Sequence, residues 1–267
     1  MFKIFYGLTF NPFEKGISEK DCFLSIDHKE MLSRLNYLKD SRGIGLFTAS
    51  PGMGKTYGLR CFAKTLNPNL YQMVYTCLST ISVTEFYRQF CVQLGLEPSG
   101  RKSQMYKSIQ DRVAYLLKDK RKTLIFAIDE SQYLSSAILR DLKMLMNYDY
   151  DSRDCFALIL IGQPILSNIL DKPIHEALKQ RITIHYNYIG LNNEESADYL
   201  YSRLEIAGGA RSIIDEAAVN AIISYSQGSP RMVNSIMTKS LMLGAQLKKQ
   251  SIDTETILSA SNELALR

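Results

Sequence analysis

The chain has 267 residues, 46% of them apolar, enough to bury one large core or a core with a smaller satellite domain. Its 32 Lys and Arg against 27 Asp and Glu leave a net charge of +5, which permits contact with nucleic acid without demanding it. Five scattered cysteines, odd in number and free of any C-x-x-C pair, argue against a disulfide framework or a zinc site and fit a reducing cytoplasm. The absence of a signal-peptide pattern and of an apolar run near ~18 residues makes membrane insertion unexpected.

The first strand-like run, Ile44 to Thr48, leads directly into Ala49-Ser50-Pro51-Gly52-Met53-Gly54-Lys55-Thr56. Glycines in that order let successive backbone N–H groups turn inward on a triphosphate. Lys55 can then reach the outer phosphates and the Thr56 hydroxyl can ligate Mg²⁺. Ala49 stands where G-x-x-x-x-G-K-[ST] has its first glycine, a change the loop tolerates if that residue is in the β region. Tyr57 to Leu66 reads as the helix whose positive end faces the anion. Ser50, Pro51, Gly52, Met53, Gly54, Lys55, Thr56 and Tyr57 are therefore the candidate nucleotide-binding set.

A second run, Tyr71 to Thr76, precedes Ser82-x-x-Glu85, a capping box opening a helix that Gly95 can close. Met105, Ile109, Val113 and Leu116 then repeat at helical spacing. Thr123 to Asp129 is a continuous apolar strand ending in Asp129 and Glu130. Asp129 suits the Mg²⁺ shell, and Glu130 suits orienting and deprotonating a water beside a γ-phosphate. Phe156 to Gly162 and Ile182 to Tyr186 complete an alternation that predicts a parallel sheet with helices on both faces, one strand lying between the phosphate-loop strand and the Asp129–Glu130 strand.

After Gly190 the strands stop. Asn193 is expected to cap a helix ended by Gly208-Gly209, and three more helical patterns follow. The expected division is an α/β nucleotide-binding domain over residues 1–190 and a helical lid over 191–267. Asp149, Asp151 and Asp154 lack the glycine and glutamate of a calcium loop and read as a solvated loop. His28, His175 and His185 lack metal-ligand spacing.

With these motifs in place the chain resembles an AAA+ ATPase, and within that class the branch of ExeA-like ATPases and the transposition helpers TnsC, TniB and MuB. The resemblance also rests on Gly7-Leu8-Thr9-Phe10-Asn11-Pro12-Phe13, Leu160-Ile161-Gly162-Gln163-Pro164, Lys179-Gln180-Arg181-Ile182 and Gly228-Ser229-Pro230-Arg231. It implies that Gln163 is the sensor 1 residue acting on the γ-phosphate or the attacking water, against a polar turn residue before Pro164. Arg181 would be an arginine finger reaching a neighbouring subunit, against a surface arginine with Lys179 and Arg153 as competitors. Arg231 would be sensor 2, against a helix-start arginine paired locally. Pro12 and Phe13 would pack near adenine or staple the N-terminal segment.

The resemblance further implies ATP and Mg²⁺ as cofactors and a homo-oligomer. It implies a cytoplasmic regulator of DNA transposition that assembles on duplex DNA and recruits or activates a transposase, with candidate DNA contacts at Arg101, Lys102 and Lys107. The run Lys118, Lys120, Arg121 and Lys122 is a weaker candidate, read as a solvated turn. The alternative is a secretion-associated ATPase directed at proteins. It is the less expected of the two, because such ATPases carry a membrane anchor and a peptidoglycan-binding module that these residues do not display.

Overall fold

The computed structural model describes residues 2–14, 16, 22–77, 80–148 and 154–265. Among them, β1 (Gly43–Ala49), β2 (Tyr71–Thr76), β3 (Thr123–Ile128), β4 (Phe156–Gly162) and β5 (Ile182–Tyr188) form one parallel sheet in the order β2-β3-β4-β1-β5. Every residue of β1 and β4 is buried, as central parallel strands covered on both faces require, whereas the edge strand β5 alternates. β4 is the strand expected between β1 and β3. The register pairs Thr48 with Gly162 and Ile128 with Leu160, which brings the ends of these three strands to one edge of the sheet.

The connections are helical: α2 (Ile26–Ser41) before β1, α3 (Lys55–Thr65) after it, then α4 (Val83–Gln93), α5 (Lys102–Lys118), α6 (Ser136–Leu145), α7 (Ile165–Leu170) and α8 (Glu176–Lys179). The helix after the phosphate loop starts two residues earlier than its sequence pattern suggests, at Lys55. The Ser82 side chain accepts from the Glu85 N–H and Gly95 follows the α4 C-cap at φ +70°. Met105, Ile109, Val113 and Leu116 are the buried stripe of α5. The core of this unit stacks Phe90 on Phe126, ring centroids 4.0 Å apart, and continues through Phe86, Leu124, Ile138 and Leu158.

The chain folds as two compact units: Glu30–Pro51 with Lys55–Tyr188, holding the sheet, and Met1–Lys29 with Gly52–Gly54 and Ile189–Arg267. The second unit contains α1 (Phe2–Phe5), α9 (Asn193–Ile206), α10 (Glu216–Ser226), α11 (Pro230–Gln246) and α12 (Thr254–Ala265). Tyr6, Leu8 and Phe13 are part of its core with Leu200, Leu204, Ile236 and Leu241, so Phe13 acts there as an apolar anchor. Thr9 donates both its N–H and its hydroxyl to the Ala207 carbonyl, at 2.9 and 3.0 Å. The N-terminal segment thus groups with the helices although the sequence pattern joins it to the α/β domain. The cap of α9 is Asn192, not Asn193. Asn192 has Glu195 three residues on, and the two side chains cap each other's backbone N–H at 2.8 and 3.1 Å, a reciprocal pair that Asn193 with Ser196 cannot make. No helix among the described residues is long and apolar enough to cross a membrane.

Candidate nucleotide site

β1 carries Ala49 as a buried strand residue, so the alanine in the first loop position needs no special backbone conformation. The turn into α3 is made by Gly52 at φ +85° and Gly54 at φ +106°, which is why glycines stand there. The first turn of α3 leaves its backbone N–H groups without intrahelical partners, at the positive end of the helix. Lys55 is only 7% exposed, and its ammonium donates to the carbonyls of Ala49 at 2.8 Å and Ser50 at 3.3 Å. Beside it the Thr56 hydroxyl donates to Asp129 Oδ2 at 2.6 Å.

Asp129 is buried at the end of β3 and held on both oxygens. Its Oδ1 accepts the Glu130 N–H at 2.8 Å, and its Oδ2 also accepts the Tyr75 hydroxyl at 3.2 Å. Burial pushes the Tyr75 hydroxyl well above its ordinary pKa, and the Asp129 charge adds to the effect, so Tyr75 stays a donor. Glu130 sits at φ 51°, ψ 37°, a left-handed conformation that costs a non-glycine residue roughly 1 kcal/mol and turns the chain into the short helical turn Ser131–Tyr133. In that turn Gln132 donates to Glu130 Oε2 at 2.5 Å and accepts the Gln163 N–H at 3.1 Å.

The donor set fits a Mg–nucleotide. Hydroxyl and carboxylate oxygens suit Mg²⁺, which keeps much of its water. A buried ammonium on a glycine turn at a helix start suits phosphates. Gly52 is also a point of close packing within the protein: a Cβ there would lie 2.8 Å from Ser229 Oγ and 2.9 Å from Arg231 Cβ. Ser229 Oγ and the Arg231 N–H both donate to the Gly52 carbonyl, at 3.3 and 3.4 Å.

The structure brings together Lys55, Thr56, Asp129, Glu130 and the backbone of Gln163, and it sets Arg231 against Gly52. Tyr57 lies one residue along α3, half-buried, with the Arg60 guanidinium 5.0 Å from its ring. Arg181 is elsewhere. It precedes Ile182, which pairs with Ile44 near the start of β1, so it lies at the opposite end of these neighbouring strands from Ala49, which pairs with Tyr188. Lys179 is paired with Asp171 at 2.7 Å, while Arg153, Asp149 and Asp151 lie outside the described residues. Arg101 and Lys107 are exposed at the start of α5. Lys102 is tied to Asp141 at 2.6 Å. Two residues that the motifs do not single out, Tyr75 and Gln132, contact the carboxylates directly. Gln132 could have been found as the amide two residues past Glu130, but Tyr75 reads only as a strand aromatic.

Residues 38–170 match the family model described as AAA domain. The chain is 30% identical over 246 residues, 91% of its length, to General secretion pathway protein A of Aeromonas hydrophila, and spans 44% of that protein, less than half. In fold it is similar to the crystal structure of Cdc6p from Pyrobaculum aerophilum, with a TM-score of 0.71 at 17% identity, covering 94% of this chain and 70% of that one. It is similar also to the Aeropyrum pernix ORC1 protein in complex with DNA, with a TM-score of 0.67 at 15% identity, covering 93% and 68%. The family match takes in the phosphate loop, Asp129, Glu130 and Gln163, so the similarity to AAA domains covers the segment that holds the site.

Proposed function

We propose that the chain binds ATP with Mg²⁺ and hydrolyses it to ADP and phosphate, as the switch of a homo-oligomer that assembles on duplex DNA and recruits or activates a transposase. The observation that carries the ATPase reading is the meeting of the Thr56 hydroxyl and the Asp129 carboxylate at 2.6 Å, with Glu130 next along the chain.

In this reading the loop N–H groups and Lys55 bind the outer phosphates, and Thr56 and Asp129 hold Mg²⁺. When bound, the metal neutralises charge developing on the phosphate oxygens. Glu130 takes a proton from water as its oxygen attacks the γ-phosphorus, and the bond from that phosphorus to the β–γ bridging oxygen breaks, releasing ADP. Gln163 orients the water or the γ-phosphate through its amide. Arg231 reports the γ-phosphate to α11. Arg181 serves a neighbouring copy, a role supported by its place at the end of the strands away from its own phosphate loop.

The DNA-directed reading is supported by the net charge of +5, by exposed Arg101 and Lys107, and by the resemblance to transposition helpers. A second reading, an ATPase directed at a protein partner, is favoured by the 30% identity to General secretion pathway protein A.

Sedimentation with labelled duplex DNA in ATPγS and in ADP, with Lys55→Ala as control, tests both. Large DNA-bound assemblies only in ATPγS, losing affinity with a log–log salt slope of about −0.9 per neutralised phosphate, support the first reading. Assembly that ignores DNA supports the second. ATP hydrolysis unchanged by Lys55→Ala would overturn the ATPase assignment.

A further inference from the structure

In the ATPase reading Glu130 is the group that faces the attacking water. Gln132 donates to Glu130 Oε2 at 2.5 Å, a charge-assisted bond that restrains the orientation of the carboxylate. The amide has one orientation that satisfies both of its neighbours, nitrogen toward the carboxylate and oxygen toward the Gln163 N–H at 3.1 Å. Gln132 is also nearly buried, at 9% exposed.

The sequence leaves room for this bridge. A Cβ at Gly162 would come within 2.7 Å of Gln132 Oε1 and 2.9 Å of the Leu166 side chain, so glycine at the end of β4 is what lets the amide lie there. Gln163 follows directly and its carbonyl accepts the Leu166 N–H at 2.9 Å, which seats the turn on the start of α7.

We propose that Gln132 is a positioning residue for hydrolysis: it aims the Glu130 carboxylate and ties it to the β4–α7 turn that carries Gln163, so that the base and the residue proposed to contact the γ-phosphate move as one. This rests on the ATPase reading above. In this proposal Gln132 acts through Glu130, its hydrogen-bond partner, and its loss therefore affects turnover and not binding.

The test is steady-state ATP hydrolysis with a parallel titration of a fluorescent ATP analogue and a thermal melt. Gln132→Met keeps the length of the side chain without its amide, and Gln132→Ala removes the amide with most of the side chain. Both are expected to lower kcat by about 10- to 100-fold while KM and analogue affinity change less than about threefold. In a Glu130→Gln background, Gln132→Met is expected to lower the residual rate no further. Gly162→Ala, whose Cβ would crowd both Gln132 Oε1 and the Leu166 side chain, should reproduce the kcat defect in the wild-type background.

A kcat unchanged in both Gln132 variants overturns the proposal, as does a loss in the Glu130→Gln background that multiplies. A wild type that binds and hydrolyses ATP alongside such results fails this inference alone. A wild type that does neither takes the ATPase reading down with it.

Discussion

The Thr56 hydroxyl and Asp129 Oδ2 lie 2.6 Å apart, although one residue is in the first turn of α3, after β1, and the other directly follows β3, two strands from β1 in the sheet. Such an approach aligns a neutral and an anionic oxygen donor on one point. Asp129→Asn should therefore weaken Mg²⁺-dependent ATP binding by at least about tenfold while leaving the weaker binding measured in EDTA nearly unchanged, because the phosphate contacts of the loop persist. A fluorescence titration with and without EDTA checks this. Equal losses in both conditions would mean that the carboxylate serves the loop and not the metal.

Glu130→Gln keeps the size of the side chain and removes its basicity. Hydrolysis should fall about 10²- to 10³-fold with ATP affinity retained, and the ATP-bound assembly should accumulate. Wild-type turnover in this variant would sink the general-base role.

Arg181 directly precedes β5, at the end of the strands away from Ala49. If it serves a neighbour, Arg181→Ala subunits mixed with Glu130→Gln subunits should regain part of the wild-type ATPase, because some mixed sites hold an intact base and an intact arginine. Mixtures that stay at the level of the separate variants while still oligomerising would rule the role out.

Gly190, at φ +107°, faces the Gly228 carbonyl so closely that a Cβ would lie 2.5 Å from it, and its N–H donates to the Asp27 carboxylate at 2.7 Å. Gly190→Ala combines backbone strain with a contact that backbone atoms cannot easily relieve. It should cost about 2–4 kcal/mol in urea denaturation. A loss under about 0.5 kcal/mol would show that the turn relaxes.

Burial lowers the pKa of His175 below 6.5, and the charges of Arg140 and Lys172 add to the effect. The folded value is the depressed one, so above pH 6.5 the imidazole is neutral in both states and contributes nothing to pH dependence. Below it the unfolded chain takes up a proton that the folded chain refuses, and stability drops by up to about 1.4 kcal/mol per pH unit until the folded pKa is reached. Burial shifts His28 in the same direction, so the comparison is between variants. Urea denaturation at pH 7.5 and 5.5 should show a smaller drop for His175→Gln than for wild type. Identical drops would remove His175 as a source.

Most of the sheet and the two acidic or phosphate-facing motifs are legible in the sequence because they are written in local terms. Apolar runs covered on both faces show no alternation, and the glycines mark where φ must be positive. The cap at Asn192 is easily misplaced to Asn193, because adjacent asparagines are equal by residue type and differ only in what lies three residues on. The packing of Tyr6, Leu8 and Phe13 into the core of the helical unit has no local signature, since their partners are about two hundred residues away in the chain. Gln132 carries a local hint as the amide two residues past Glu130, whereas Tyr75 is invisible for the same kind of reason: an aromatic in a strand acquires a role only when β2 and β3 are laid side by side.

Lys55 places a positive charge inside the protein, against carbonyls of its own loop. The side chain has therefore given up much of its rotamer freedom before any phosphate arrives, so the cost of ordering it falls on folding and not on binding. A phosphate that meets an already ordered lysine loses less on binding than one that must order it first.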